Sequence, residues 1–229
     1  MDAFSIEPVA DIRTDFTTKF GLPRQSGLVP GIGGVVVMRP GYRDAMCFRG
    51  LEGYSHIWLL WLFSENAQKG WSPTVLPPRL GGKTRMGVFA TRSPFRPNSI
   101  GLSCVRLDRV ELSSPEGPRL YVSGADLMNG TPIIDIKPYL PFADSVPDAS
   151  AGFAGKALDY SLEVVFPDAL LSLIPERKRA ALIAALSEDP RPAYQNDETR
   201  RYGFEYAGFD VRFHVRGGVL TVCEVVPLR

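Results

Sequence analysis

The stretch Ile100-Gly-Leu-Ser-Cys-Val-Arg-Leu-Asp-Arg-Val-Glu-Leu112 decides the fold class. Apolar and polar side chains alternate along it, as a strand with one covered face requires. Leu102 and Cys104 set one phase, Val105 breaks step and Leu107 resumes, which predicts a bulge or strong twist. Outward from it lie further short runs of strand character: Ile6–Ile12, Gly34–Met38, His56–Phe63, Met86–Thr91, Arg119–Gly124 and Pro132–Ile136. Gly/Pro clusters separate them, and nothing between them reads as a long helix. Ile57-Trp-Leu-Leu-Trp-Leu-Phe63 is apolar on both faces and is expected to be a central strand covered on both sides. Such spacing points to a mainly β fold built as a closed or nearly closed barrel.

Beyond the strands the pattern changes. Residues 146–159 are small and polar and read as a linker between a domain at 1–145 and a second unit at 160–229. In that unit Tyr160–Phe166 alternates as a strand, and Pro167 opens a short helix. A second helix is expected from Pro175 to about Ser187, with Leu182, Ile183 and Leu186 on its buried face and Pro190 as its stop. Phe209–Val226 is a hairpin pattern turning at Gly217-Gly218, where positive φ is required. A small α+β unit of this size leans on a neighbour for stability.

The chain has 229 residues and a formal net charge of +1, so no global basic field marks it as a polyanion binder. Locally, Arg79, Lys83, Arg85, Arg92, Arg96, Arg106 and Arg109 face a single acid, Asp108, between residues 79 and 109. That stripe is compatible with a polyanion partner, but taken alone a solvated face is the plainer account of it. Cys47, Cys104 and Cys223 show no paired spacing, and His56 and His214 are isolated, so no metal is expected. No charged and apolar leader or spanning run is evident, and the expected compartment is the cytoplasm.

Just before the long strand lies Ala90-Thr-Arg-Ser-Pro-Phe-Arg-Pro-Asn-Ser99. Pro94 and Pro97 hold Ser93, Phe95 and Arg96 extended, so Arg92, Arg96 and Asn98 stand on a stiff backbone. Two guanidinium forks and an amide suit a flat or phosphorylated ligand, although a surface turn with solvated arginines has the same composition. Gly31-Ile-Gly33-Gly34 misses the last glycine of a dinucleotide fingerprint, and no P-loop or nucleophile elbow occurs.

This proline-pinned segment, with Asp135-Ile-Lys-Pro-Tyr-Leu-Pro141, resembles the signature of the TsaA-like family. Pro23-Arg24-Gln25, Arg49-Gly50-Leu51-Glu52, Pro77-Pro78-Arg79-Leu80-Gly81-Gly82, Met86-Gly87-Val88-Phe89 and Asp189-Pro190-Arg191-Pro192-Ala193-Tyr194 match it in order. The resemblance implies a barrel that binds S-adenosylmethionine, as a homodimer, and methylates N6 of threonylcarbamoyladenosine beside the tRNA anticodon. It also implies roles by position. Gln25, Ser26, Gly27, Ser64, Glu65, Arg92, Leu102, Leu127, Met128, Asn129 and Gly130 would contact the methyl donor. Asp135, Lys137 and Tyr139 would face the acceptor, by carboxylate binding and proton removal, while an Asp–Lys pair stapling a strand edge is the plain alternative. Arg96, Asn98, Arg191 and Tyr194 would touch RNA. Relatives carry His where this chain has Ser64, and Asp where it has Asn129; the amide keeps an acceptor but loses the charge. A non-catalytic RNA- or nucleotide-binding barrel, and methyl transfer to a small molecule, are the competing readings.

Overall fold

The computed structural model describes residues 5–77, 80, 84–157, 161–191 and 197–228. Six strands form a closed antiparallel barrel: β1 (Ala10–Thr14), β2 (Gly33–Met38), β3 (His56–Leu62), β6 (Ile100–Glu111), β7 (Arg119–Ser123) and β8 (Thr131–Pro138). Their order is β1-β2-β7-β6-β3-β8, with β8 returning to β1 through pairs such as Ala10 with Ile133. Closure gives every strand two neighbours in the ring. The inward side chains make one apolar core that includes Ile12, Val36, Ile57, Leu59, Val105, Leu120, Val122 and Ile133.

Strand β6 corrects the phase expected from its sequence. Gly101, Ser103, Val105 and Leu107 all point inward without interruption, and Leu102 is the odd residue, outward and 47% exposed. The bulge lies further along, between Leu107 and Arg109 against β7. The sequence phase looked broken because the inward face carries a glycine and a serine where apolar residues were sought. Strand β3 is central, between β6 and β8, but its outward Trp58 and Leu60 are only half-covered. The strand expected at Met86–Thr91 is a two-residue β5 (Met86–Gly87) paired with β4 (Thr74–Val75), followed by a 3-10 turn at Val88–Ala90.

After a one-turn α1 (Pro141–Asp144), a 3-10 turn at Gly152–Ala157 precedes the second unit. It contains β9 (Glu163–Val165), α2 (Asp168–Leu171), α3 (Glu176–Ser187), β10 (Tyr202–Tyr206), β11 (Phe209–Arg216) and β12 (Val219–Pro227). The sheet order is β10-β11-β12-β9, with β9 parallel to β12. Gly217 and Gly218 take φ of 54° and 83° at the hairpin turn. Helix α3 buries Ala181, Leu182, Ala185 and Leu186, whereas Ile183 lies at the margin.

The second core is not made by the second unit alone. Phe16, Val29 and Ile32, from the connection between β1 and β2, are buried in it beside Leu182, Phe204, Tyr206, Phe213 and Leu220. Phe16 meets Tyr206 edge-on at 5.1 Å and lies near-parallel to Phe204 at 6.2 Å. Lys178 pairs with Asp15, and the Ala207 N–H donates to the Asp15 carbonyl at 3.0 Å. The connection 15–32 therefore belongs to both halves of the molecule.

Candidate functional site

Strand β6 pairs with β3 along Ile100–Arg106 but with β7 only from Arg106 onward. Its first half thus has one edge not paired with β7, and the 15–32 connection fills that seam. Ser26 Oγ accepts the Cys104 N–H at 3.1 Å, and the Gly27 N–H donates to the Gly124 carbonyl at 2.9 Å. Asp126 enters the same seam from the β7–β8 connection. Its Oδ1 accepts the Ser103 hydroxyl at 2.6 Å, and Ser103 Oγ in turn accepts the Trp61 indole N–H at 2.9 Å. Burial raises the Asp126 pKa, opposed by Ser103, by the backbone N–H groups of Asp126 and Ser26, and by the charge of Arg92. Arg92, exposed above the seam, donates to Gln25 Oε1. Gln25, Ser26, Gly27 and Arg92 are therefore brought together around a carboxylate that sequence reading did not select.

Leu102 opens onto a second surface, the outside of β6, β3 and β8. Cross-strand pairing sets Leu102 beside Leu60 and Leu60 beside Asp135; the next row is Cys104, Trp58, Lys137. Leu102 and Asp135 are thus two strand spacings apart, about 10 Å. Lys137 Nζ pairs with Asp135 Oδ2 at 2.7 Å, and Asp135 Oδ1 accepts the Ile136 N–H at 2.8 Å. Tyr139 packs against Trp58 and His56, at ring separations of 5.7 and 6.2 Å. Trp58 donates to Asp144 Oδ2 at 2.9 Å; the Leu140 N–H and this indole lower the Asp144 pKa. Asp135, Lys137 and Tyr139 accordingly share one exposed face with Leu102, with the first two joined as an ion pair.

The 127–130 turn is more internal. Leu127 is 1% exposed in the barrel core, and its carbonyl accepts the Thr14 hydroxyl at 3.0 Å. The Met128 carbonyl accepts from Thr131, Asn129 Oδ1 from the Thr14 N–H at 3.2 Å, and the Gly130 N–H donates to the Ile12 carbonyl. Asn129 therefore ties this turn to the end of β1. Ser64 and Glu65 are exposed just past β3, where Phe63 bonds to the Ser99 carbonyl beside the start of β6.

Of the residues expected at RNA, Asn98 is exposed and Arg96 donates to the Thr91 carbonyl at 3.1 Å. Arg191 is placed differently. Its guanidinium grips Asp189 through two hydrogen bonds of 2.8 and 2.9 Å, with both side chains about one-tenth exposed. Arg24 adds hydrogen bonds to the carbonyls of Asp189 and Arg191, joining the 15–32 connection to the second unit. Tyr194, like Arg79 and Lys83 of the basic stripe, lies outside the described residues. Arg106 and Arg109 pair with Asp108 and Glu111 on the barrel wall, and Arg109 also lies over the Tyr121 ring. Among the described residues no cluster of His, Cys, Asp or Glu could hold a metal ion, and no helix is long and apolar enough to cross a membrane.

The signal that sequence reading missed was Ser103, a hydroxyl in the inward phase of a core strand. Such a group needs a buried partner, and Asp126 supplies it.

Known proteins extend this picture. The tRNA-methyltransferase O N-terminal domain matches residues 11–145, and the TrmO C-terminal domain matches residues 159–228. The tRNA (adenine(37)-N6)-methyltransferase of Escherichia coli (strain K12) is 42% identical over 99% of this chain and 100% of its own. A Pseudomonas aeruginosa relative, whose name contains S-adenosylmethionine-dependent methyltransferase, is 42% identical over 96% of this chain and 97% of its own. The crystal structure of TrmO from Pseudomonas aeruginosa aligns with a TM-score of 0.76 at 34% identity, covering 98% of this chain and 100% of that one. With both halves matched and full-length relatives at this identity, the chain belongs to the tRNA-methyltransferase O family.

Proposed function

We propose that this chain transfers the methyl group of S-adenosylmethionine to N6 of adenine 37 in tRNA, with threonylcarbamoyladenosine as the acceptor base. Full-length similarity to the Escherichia coli tRNA (adenine(37)-N6)-methyltransferase carries the reading. The geometry supports it: exposed Leu102 lies between the seam holding Gln25, Ser26, Gly27 and Arg92 and the outer face bearing Asp135, Lys137 and Tyr139.

The chemistry of these groups fits the donor. Arg92 offers a fork for its carboxylate, and Leu102 an apolar surface for its adenine. Gln25, Ser26 and Gly27, with Ser64, Glu65 and the 127–130 turn, border it. A sulfonium methyl donor supplies an activated methyl group and a neutral leaving group, so alignment is what the protein must provide. The acceptor nitrogen is amide-like and sheds a proton as its new bond forms. Asp135 or Tyr139 takes that proton, and Lys137 leaves its partner to meet the threonyl carboxylate. Arg96 and Asn98 extend the surface toward RNA, and Arg191 and Tyr194 carry the phosphate and stacking chemistry that an anticodon loop would meet. A second copy closes the donor pocket over the outer face, where Leu102 and Phe142, 87% exposed, are otherwise uncovered. The enzyme works in the cytoplasm, with its tRNA.

Labelled S-adenosylmethionine incubated with bulk tRNA from cells lacking this gene tests the reading by nucleoside mass spectrometry. Methylated threonylcarbamoyladenosine is expected, and its loss with Arg92→Ala. Donor binding without transfer to any tRNA would overturn it.

A further inference from the structure

The carboxylate of Asp126 has no part in the chemistry above, yet it stands where three segments meet. On the barrel side it accepts the Ser103 hydroxyl at 2.6 Å, itself fixed by the Trp61 indole. Ser103 is fully buried and Trp61 packs against the bare Cα of Gly101, so this chain of hydrogen bonds is anchored in the core. On the loop side it receives the Ser26 backbone N–H, and Arg92 faces it with the opposite charge. Ser26 is thus held twice, by its amide on Asp126 and by its hydroxyl on Cys104. Neighbouring Gln25 passes the constraint on to Arg92.

We propose that Asp126 is the positioning residue of the donor pocket, setting the Gln25–Gly27 turn and the Arg92 fork against β6 without touching the reacting atoms. This rests on the reading that those residues bind S-adenosylmethionine. Hydrogen bonds from Ser103, from Ser26 and from its own amide favour the ionised carboxylate, whose two oxygens accept without a competing O–H. An amide of the same shape keeps one acceptor oxygen and turns a second donor toward Ser26, whose N–H is then unpartnered. Among the described residues the charged group that faces Asp126 is Arg92 of the proline-pinned segment; Arg96 turns to the Thr91 carbonyl, Arg24 to the carbonyls of Asp189 and Arg191, and Cys104 lies in the outer row beside Trp58. Burial raises the Asp126 pKa, so acidification protonates this carboxylate where Ser103 and Arg92 meet it.

Calorimetric titration with S-adenosylhomocysteine is the test, on the wild-type chain, Asp126→Asn and Ser103→Ala. Asp126→Asn is expected to bind about tenfold more weakly, the size of one lost hydrogen bond to a charged group. Ser103→Ala, which leaves the carboxylate but removes its anchor, should lose less. With tRNA as acceptor, KM for the donor should rise while kcat at saturating donor stays within about twofold. Acidification through the carboxylate range should weaken donor binding by the wild type, and Asp126→Asn should abolish that dependence. Unchanged affinity in both variants, or a fall in kcat at constant KM, would overturn the assignment; if Asp126→Asn fails to fold, Ser103→Ala and the wild-type pH profile decide it. A wild-type chain that binds no donor at all would instead defeat the reading on which the assignment rests.

Discussion

The barrel and the C-terminal unit each have a hydrophobic core, but they differ in ownership. The barrel core draws on its own strands and the turns between them. The C-terminal core borrows Phe16, Val29 and Ile32 from the barrel's first connection. One unit is self-contained, and the other is completed by a neighbour. The borrowed segment also carries Gln25, Ser26 and Gly27, so packing in the distal unit and geometry at the β6 seam share one stretch of chain. A small unit with an incomplete core gains stability by such borrowing, and the barrel gains a rigid loop.

Phe16→Ala puts the largest strain on this comparison. Phe16 is fully buried among Phe204 and Tyr206, and its truncation should cost about 3–5 kcal/mol. Hydrogen exchange should show protection lost in β10–β12 and α3 while β2, β3 and β7 keep theirs. Uniform loss across both units would break the comparison. Gly101→Ala probes the barrel alone. A Cβ there would lie 2.3 Å from the Trp61 ring, and overpacking of this kind costs about 1–3 kcal/mol. Denaturant unfolding and tryptophan fluorescence should report it, with the C-terminal unit unaffected. The smallest effect concerns the barrel surface. Hydrogen bonds from Arg13, with the charges of Arg13 and Arg119, hold Glu116 at about 2, well below its ordinary 4.5. A depressed carboxylate stabilises the fold above pH 4.5 and loses that contribution as pH falls toward 2. An NMR titration should find the low midpoint, and Arg13→Ala should return it toward 4.5; a wild-type midpoint near 4.5 would contradict the pairing.

Much of this was legible in the sequence where a local rule decides the structure. Alternation and Gly/Pro punctuation located β2, β3, β6, β7 and β8, and Gly217-Gly218 located the last hairpin. Strand β10 was missed because Tyr202–Tyr206 is short and interrupted by Gly203. The lobe between β3 and β6 was misjudged at Met86–Thr91, since Val88–Ala90 closes a turn through the Thr91 N–H and Val88 carbonyl rather than pairing. Site residues followed the same division. Arg92 was singled out by its proline-stiffened neighbours, and it is exposed and donates to Gln25. Asp126 did not, because its meaning depends on Ser26 and Ser103, which only the barrel's topology brings near. Arg191 looked free in sequence, yet Asp189, two residues earlier and at φ 51°, turns its carboxylate back onto the guanidinium.

The shared connection has a consequence for the order in which the molecule is made. Synthesis delivers Phe16, Val29 and Ile32 early, but their partners Phe204, Phe213 and Leu220 emerge near the end. The barrel strands are all available once Pro138 has left the ribosome, and until then nothing competes for their pairing. The 15–32 connection must wait, its apolar side uncovered, until the β11–β12 hairpin arrives. In an unfinished chain the barrel strands can pair, whereas the 15–32 connection settles only when the second unit packs against Phe16, Val29 and Ile32.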